Sequence, residues 1–442
     1  MRTVTRGQPA PLQGAKCSSP SPSGYAGKAL DRLCAVSLCL LPALIVSPVG
    51  ASRRLETTTQ YCAVRTGPST DYNRITMLMP SVPLWAEDKQ GDWYRVRLHQ
   101  ALEGWVHQED LRASDRQGRP MADVANIQVA PYERGVRVTV LLTERIPYRV
   151  RQCIGTEQLK LDLFGARLAR YGIRCYPIEP FVTSVVPEQV LSDWAEVTLN
   201  LKMPVQTGYD VYYAGQRAHL VVDVRRPLAP GGLRGKVVCL DPGHGGGDKG
   251  AVGPSGLLEK DVNLAIGLRL RELLLARGAT VVMTRQTDAS LAPPGSSLRT
   301  ELSARVLATK RLWPDIFLSI HNNHIGSGDP SSVRGTETYY YSPMSIRPAW
   351  AIHNALCRAL SSQSRFVGWR PFRVLRETDT PRVLVECAYM SHPQEEAIVR
   401  DESFPAVAAE GLLQGLSDYF TSASRSSADA PGAWAGNAAR RP

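Results

Sequence analysis

Apolar and polar positions along this chain change their period part-way through. Over 57–113 short runs alternate, as in DWYRVRL (92–98) before GWVH (104–107), and Gly and Pro separate them. Successive strand residues point to opposite faces, so this stretch predicts a small β-barrel. Alternation continues over 122–227 in VRVTVLL (136–142), LKLDL (159–163) and LVVDV (220–224). With almost no helical periodicity there, a β-sandwich is expected. Residues 228–235, rich in Pro and Gly, read as a linker.

From 236 to 420 strand and helix patterns take turns, which predicts an α/β domain. KVVCL (236–240) is an apolar strand, after which Val262, Ile266, Leu270 and Leu273 recur at helical spacing until Gly278 can cap the helix. VVM (281–283) is a second strand. Leu298, Leu302 and Val306 mark a helix leading into IFLSI (316–320). Residues 336–341 form a further strand, 348–361 a helix and 382–387 a buried strand launched by Pro381, and Pro405 begins the last helix. The tail at 421–442, rich in Ser, Ala, Gly, Pro and Arg, lacks apolar periodicity and is expected to be disordered.

Length and charge add limits. A chain of 442 residues suggests about three domains at roughly 150 residues each. Its net charge of +11 would suit nucleic acid, an anionic surface or an acidic polymer. No zinc finger, phosphate loop or RNA-recognition pattern is present, so no nucleic-acid partner is expected. The apolar run at 33–46, followed by Val49-Gly50-Ala51, reads as a signal-peptide core with cleavage after Ala51, although its leading segment is long. An uncleaved anchor is the alternative, but ~20 apolar residues are normally needed to span a bilayer. Export with no membrane span after leader removal is therefore expected. Removal would leave Cys62, Cys153, Cys175, Cys239, Cys357 and Cys387 of the nine cysteines. Cys153 with Cys175 is the one disulfide suggested, and Cys239 and Cys387 read as buried apolar thiols.

Four polar residues interrupt these patterns. His244 lies in DPGHGG (241–246), Glu259 in LLEKD, His321 in SIHNN and Glu386 in VLVECAYMS. All but Glu259 come where an apolar β-run gives out, which is where open α/β sheets carry ligand-binding groups. Each has a plain reading. His244 could be incidental to a glycine-rich loop, Glu259 a first-turn helix acid and His321 a hydrogen-bonded core residue. Glu386 is harder to explain so, because a lone carboxylate in an apolar strand is expensive to bury. Two imidazoles and one carboxylate can make a hydrolytic zinc site with a position left for water, and a fourth carboxylate then suits a general base.

At VRTGPSTDY, DWYRVRL and EGWVH the first β-segment resembles the bacterial SH3-like (SH3b) domains that accompany cell-wall enzymes, with Trp93, Tyr94 and Trp105 as a possible ligand groove. The second resembles, in pattern alone, the AMIN-type wall-targeting sandwiches. DPGHGGGDKGAVG, LLEKDVNLAI, SIHNN, GTETYYY and PRVLVECAYMSH, in that order, resemble the zinc-dependent N-acetylmuramoyl-L-alanine amidases of the amidase-3 type. That resemblance implies a mixed sheet flanked by helices, zinc ligands at His244, Glu259 and His321, and a catalytic carboxylate at Glu386. It also implies cleavage of the amide between N-acetylmuramic acid and L-alanine in peptidoglycan, by a protein of the periplasm or outer cell wall, here expected to be a monomer.

The chain departs from the family at Ala388-Tyr389 and Ser391-His392. His392 is expected in a surface turn before Pro393, His324 is a possible contact to substrate, and His353 is expected to be structural. Some family members carry an autoinhibitory helical insertion after the strand at 336–341. Here the next helix follows directly, so an open site is expected. A related zinc peptidase or deacetylase, and a wall-binding protein without activity, are the alternatives that the residues leave.

Overall fold

Residues 52–422, apart from 154, 169–180, 203–206, 230 and 311, are described by the computed structural model of the protein. The expected leader, Cys175 and nearly all of the expected C-terminal tail lie outside those residues. Cys153 is unpaired among the described cysteines. No described helix is long and apolar enough to cross a membrane.

The first β-domain is a seven-stranded sheet that also takes in Arg53–Thr57, upstream of the expected boundary. This strand pairs with both Pro83–Gln90 and Leu111–Ala113. Alternation does what the sequence predicts: Val96 and Leu98 of Trp93–His99 are buried and Arg97 between them is not. The same alternation corrects the expected aromatic groove. Tyr94 packs against the core, whereas Trp93 points to the opposite face, where it meets the His107 ring at 5.1 Å. Trp105 opposes Arg95 and so shares the face of Trp93. Three residues on two faces cannot line one groove.

Two sheets follow, a four-stranded one from Tyr148–Cys153, Gln158–Phe164, Trp194–Leu201 and Val182–Leu191, and a five-stranded one that includes Gly135–Leu142 and His219–Arg225. Val136, Val138 and Val140 of one sheet and Leu159, Leu161 and Leu163 of the other belong to one buried core.

In the third domain the chain forms β1 (Val237–Pro242), α1 (Glu259–Ala276), β2 (Thr280–Met283), α2 (Leu298–Lys310), β3 (Ile316–Asn323) and β4 (Thr336–Tyr340). It continues through α3 (Ile346–Leu360), β5 (Ser364–Trp369), β6 (Arg382–Tyr389), α4 (Pro393–Val399) and α5 (Phe404–Ser422). The sheet order is β2-β1-β3-β6-β4-β5. All pairs are parallel except β6 with β4, so the sheet is mixed. On one face Val238 and Leu240 pack with α1, α3 and α5 through Ile266, Ile352 and Leu412. On the other, Cys239, Phe317 and Leu384 pack with Leu375 and Tyr339. The edge strand β5 and the seven-residue α4 had no signature in the hydrophobic pattern. β5 buries none of its residues and α4 is barely two turns long.

The second and third domains meet at the foot of this sheet. The buried Arg225 donates to the carbonyl of Pro314, to Thr380 Oγ1 at 3.2 Å and to Asp315 Oδ1 at 3.0 Å. Those partners precede β3 and β6 in the chain, so the second β-domain sits at the strands' N-terminal ends. The polar residues singled out above lie towards the other end, leaving that rim clear.

Candidate metal centre

β1 stops at Pro242 because the next residues turn sharply. His244 adopts φ +62°, a left-handed conformation that is uncommon for a non-glycine residue. Buried arginines hold it there. Arg305 donates to the His244 carbonyl at 2.6 Å and to Asp241 Oδ1 at 2.8 Å, while Arg285 donates to the carbonyls of Pro242 and Gly243, each at 2.9 Å. Asp241, itself buried, also accepts from Thr284 and Ser319. Burial disfavours its charge, but Arg305 and the two hydroxyls outweigh burial and keep its pKa below the usual carboxylate range. Gly243 has to be glycine here, since a Cβ would stand 2.2 Å from the His321 ring.

Glu259 opens α1 and turns inward. Its Oε1 accepts from Asn322 N and Asn263 Nδ2, both at 3.1 Å, and lies 3.0 Å from His321 Nδ1. Its Oε2 accepts from Ala251 N at 2.8 Å and lies 3.1 Å from His244 Nε2. Burial raises its pKa, yet the hydrogen bonds from His244 and His321 prevail and hold the carboxylate far below its ordinary range. His244 responds in the opposite sense. Burial lowers it, but Glu259 and Asp248 together raise it. Asp248 Oδ2, 2.9 Å from His244 Nδ1, orients the ring so that Nε2 faces Glu259.

Three of the four singled-out residues thus converge. One donor atom each from His244, Glu259 and His321 lie within 4.8 Å of one another, a spacing that a single cation can draw together. The rings of the two histidines stand edge to face at 4.9 Å. Glu386 is the register partner of His321 on the adjacent parallel strand, which sets the fourth residue beside the cluster. Both strands run past these residues, so His321 and Glu386 lie within β3 and β6 rather than at their ends. Hydrogen bonds to neighbouring strands carry the backbone on after the apolar run has stopped. The Glu386 Oε2 atom is enclosed and has no hydrogen-bond partner. Burial first, then the charges of Glu259 and Glu337, push its pKa well up.

The cluster opens into a cleft of ≈ 450 Å³ lined by His244, Val252, Glu259, His321, His324 and Glu386, among others. His324, a possible contact to substrate from the sequence, lines this cleft. His392 does not lie in a surface turn. It is buried and caps α4, accepting from Gln394 N through Nδ1, because Pro393 starts a helix rather than a turn. His353 is buried between Thr338 and Ser364, as a structural histidine should be.

Residues 238–418 match the N-acetylmuramoyl-L-alanine amidase family, and 62–112 match the bacterial SH3 domain. Over 197 residues the chain is 34% identical to the germination-specific N-acetylmuramoyl-L-alanine amidase of Bacillus subtilis, spanning 43% of this chain and 81% of that protein. The chain belongs to the N-acetylmuramoyl-L-alanine amidase family. Similarity to the probable cell wall amidase LytH of Staphylococcus epidermidis is 32% over 213 residues, covering 48% of this amidase-family chain and 67% of the relative. The catalytic domain of CwlV, an N-acetylmuramoyl-L-alanine amidase from Bacillus (Paenibacillus) polymyxa var. colistinus, is 38% identical over 42% of this chain and 97% of that domain, with a TM-score of 0.38.

Several site residues of this family member escaped the sequence reading. Asn263 stands one helical turn after Glu259, a spacing that puts both on one face and could have flagged it. Asp241 within an apolar strand called for a buried cation, yet nothing in the pattern said that Arg305, 64 positions away, supplies it. Glu337 hides in GTETYYY as one polar residue among several and is brought beside Glu386 only by strand pairing.

Proposed function

We propose that this chain hydrolyses the amide between N-acetylmuramic acid and the L-alanine of the stem peptide in peptidoglycan, with zinc held by His244, Glu259 and His321. Membership of the amidase family supports the bond, and the donor set supports the metal: two imidazoles and one carboxylate are ligands that suit zinc and leave a position for water. Zinc, when bound, supplies a Lewis acid that brings the pKa of water toward ~7 and takes up charge on the scissile carbonyl oxygen.

The protein's own groups do the rest. Glu386 takes a proton from the attacking water and delivers it to the departing amine of L-alanine. Its unpartnered Oε2 is the single observation that carries this assignment, because an enclosed carboxylate oxygen with no donor is free to accept that proton. A raised pKa suits both halves of the task, holding the proton until the amine leaves. Asp248 keeps His244 in the tautomer whose Nε2 faces the cluster, and Asn263 and the backbone N–H of Ala251 aim the Glu259 carboxylate.

Export to the periplasm or outer wall belongs to the same proposal, as does retention on the polymer by the SH3-like domain and by the second β-domain, read as AMIN-like. Tethering raises the local concentration of substrate without any new contact at the site. Digestion of purified sacculi tests the reading. Zinc-loaded protein should release stem peptides beginning with a free L-alanine, whereas peptides cleaved internally would point to a peptidase, and freed acetate to a deacetylase.

A further inference from the structure

A second cleft, of ≈ 440 Å³, is lined by Ser331, Ser332, Arg334, Arg365, His392 and Gln394, among others. Strand register relates it to the metal centre. His321, Glu386 and Glu337 are successive partners across β3, β6 and β4, and Glu337 pairs in turn with Phe366 of β5. Thr336 pairs with Ser364, so Arg365 is the extra residue of a bulge, a feature that re-aims a side chain. Its Nε donates to Glu337 Oε1 at 2.7 Å, while Glu337 Oε2 accepts from Asn323 Nδ2 at 3.0 Å. Asn323 lines the first cleft and Arg365 the second, so Glu337 bridges their walls.

The groups lining this second cleft suit an anion. Arg334 is exposed, and its Nη1 donates to a neutral group, the Gln394 side-chain oxygen, at 3.0 Å. Arg365 keeps 32% of its side-chain exposure, with its guanidinium 5.6 Å from the centroid of the Tyr389 ring. His392 is buried, and because its Nδ1 accepts from Gln394 N at 3.3 Å, the proton of the neutral ring sits on Nε2 as a donor. Acids close by in the chain are already occupied. Glu395 spends Oε1 on Gly335 N at 2.8 Å and Oε2 on Tyr389 N at 2.7 Å, and Asp329 accepts from the backbone and hydroxyl of Ser331.

We propose that Arg334, Arg365 and His392 form a subsite for a carboxylate of the stem peptide, two to three residues from the amide that is cut. This inference rests on the amidase reading. Neighbouring strands lie ~4.8 Å apart, so β5 stands about 10 Å from the strand that carries Glu386. An extended peptide covers ~3.3–3.6 Å per residue, so a stem whose first amide sits at the metal centre brings its second or third residue to this cleft. Carboxylates occur at both places, on the acidic residue after L-alanine and at the end of a tripeptide stem. Guanidinium forks match their paired oxygens geometrically.

Calorimetric titration of the full chain with the free tripeptide L-alanyl-γ-D-glutamyl-L-lysine tests this without turnover. Converting one carboxylate at a time to its amide should weaken binding roughly tenfold at one position, a charge-assisted contact being lost. Loss at the glutamyl α-carboxyl assigns the residue after L-alanine, and loss at the lysyl carboxyl assigns the chain end. Arg334→Gln should bind the tripeptide roughly tenfold more weakly and no longer tell it from that amide. His392→Asn, which keeps a side-chain oxygen to cap α4, should lessen the same preference. A parent that binds the tripeptide and both amides equally, or binds none of them, or variants that keep the parent's preference, would overturn the subsite. Failure of the amidase reading looks different, because it shows in which bond of the sacculus is cut and not in peptide binding.

Discussion

Glu337 and Glu386 are register partners on β4 and β6, yet their carboxylates have opposite surroundings. Glu337 is enclosed by Asn323 Nδ2 at 3.0 Å, Arg365 Nε at 2.7 Å, Tyr389 Oη at 2.7 Å and the hydroxyl of Tyr339. The Glu386 Oε2 atom meets no donor at all. One carboxylate is thereby held by four donors, while burial first, and then the neighbouring Glu259 and Glu337, push the pKa of the other well up.

Replacing Glu386 by Gln keeps the shape and removes the proton acceptor. Turnover on sacculi should fall by about 10²–10⁴-fold, the usual contribution of a general acid or base, while zinc stays bound. Elemental analysis of the purified variant checks the second half. Retained turnover would remove Glu386 from its role.

Asn263→Ala should leave turnover possible but weaken zinc. Asn263 donates to Glu259 Oε1 and, through Oδ1, accepts from Asn322 Nδ2 at 2.9 Å. Groups that aim a metal ligand typically contribute ~10–100-fold in affinity, so competition with a chelator should show a loss in that range. An unchanged affinity would mean that the helix alone orients Glu259.

His353 makes the fold sensitive to acid. Burial pulls its pKa from the ordinary 6.5 to about 4, so the folded state binds its proton less readily than the unfolded chain. Stability from this residue is complete above about pH 6.5 and is lost as pH falls towards 4, a difference of roughly 3 kcal/mol. Denaturant titrations between those values should show that slope. His353→Gln, which can still bond Thr338 and Ser364, should flatten it.

The purified chain should act on sacculi without a partner. Only residues 341–345 separate β4 from α3, and the side chains of His244 and His321 keep 23% and 19% of their exposure. No described segment covers the cleft. An enzyme silent until a second protein is added would contradict this expectation.

How much of this was legible beforehand differs by element. Long periodic elements such as α1 and the apolar strands β1, β3 and β6 announced themselves, because burial on one or both faces writes a period into the chain. β5 and α4 left no such mark, and the buried capping role of His392 was missed along with α4. Glu259 by itself was indistinguishable from any first-turn acid, since helix dipoles favour such a residue wherever it points.

Residue types and local period, which the sequence alone determines, were enough to specify an α/β domain behind two β-domains and to single out His244, Glu259, His321 and Glu386 as its candidate site residues. Tertiary structure decided everything that depends on distance between remote positions. Strand register put Glu337 and His321 on either side of Glu386, and two buried arginines pinned the loop that presents His244. Period records which face of an element is buried, but it carries no information about which other element will cover that face.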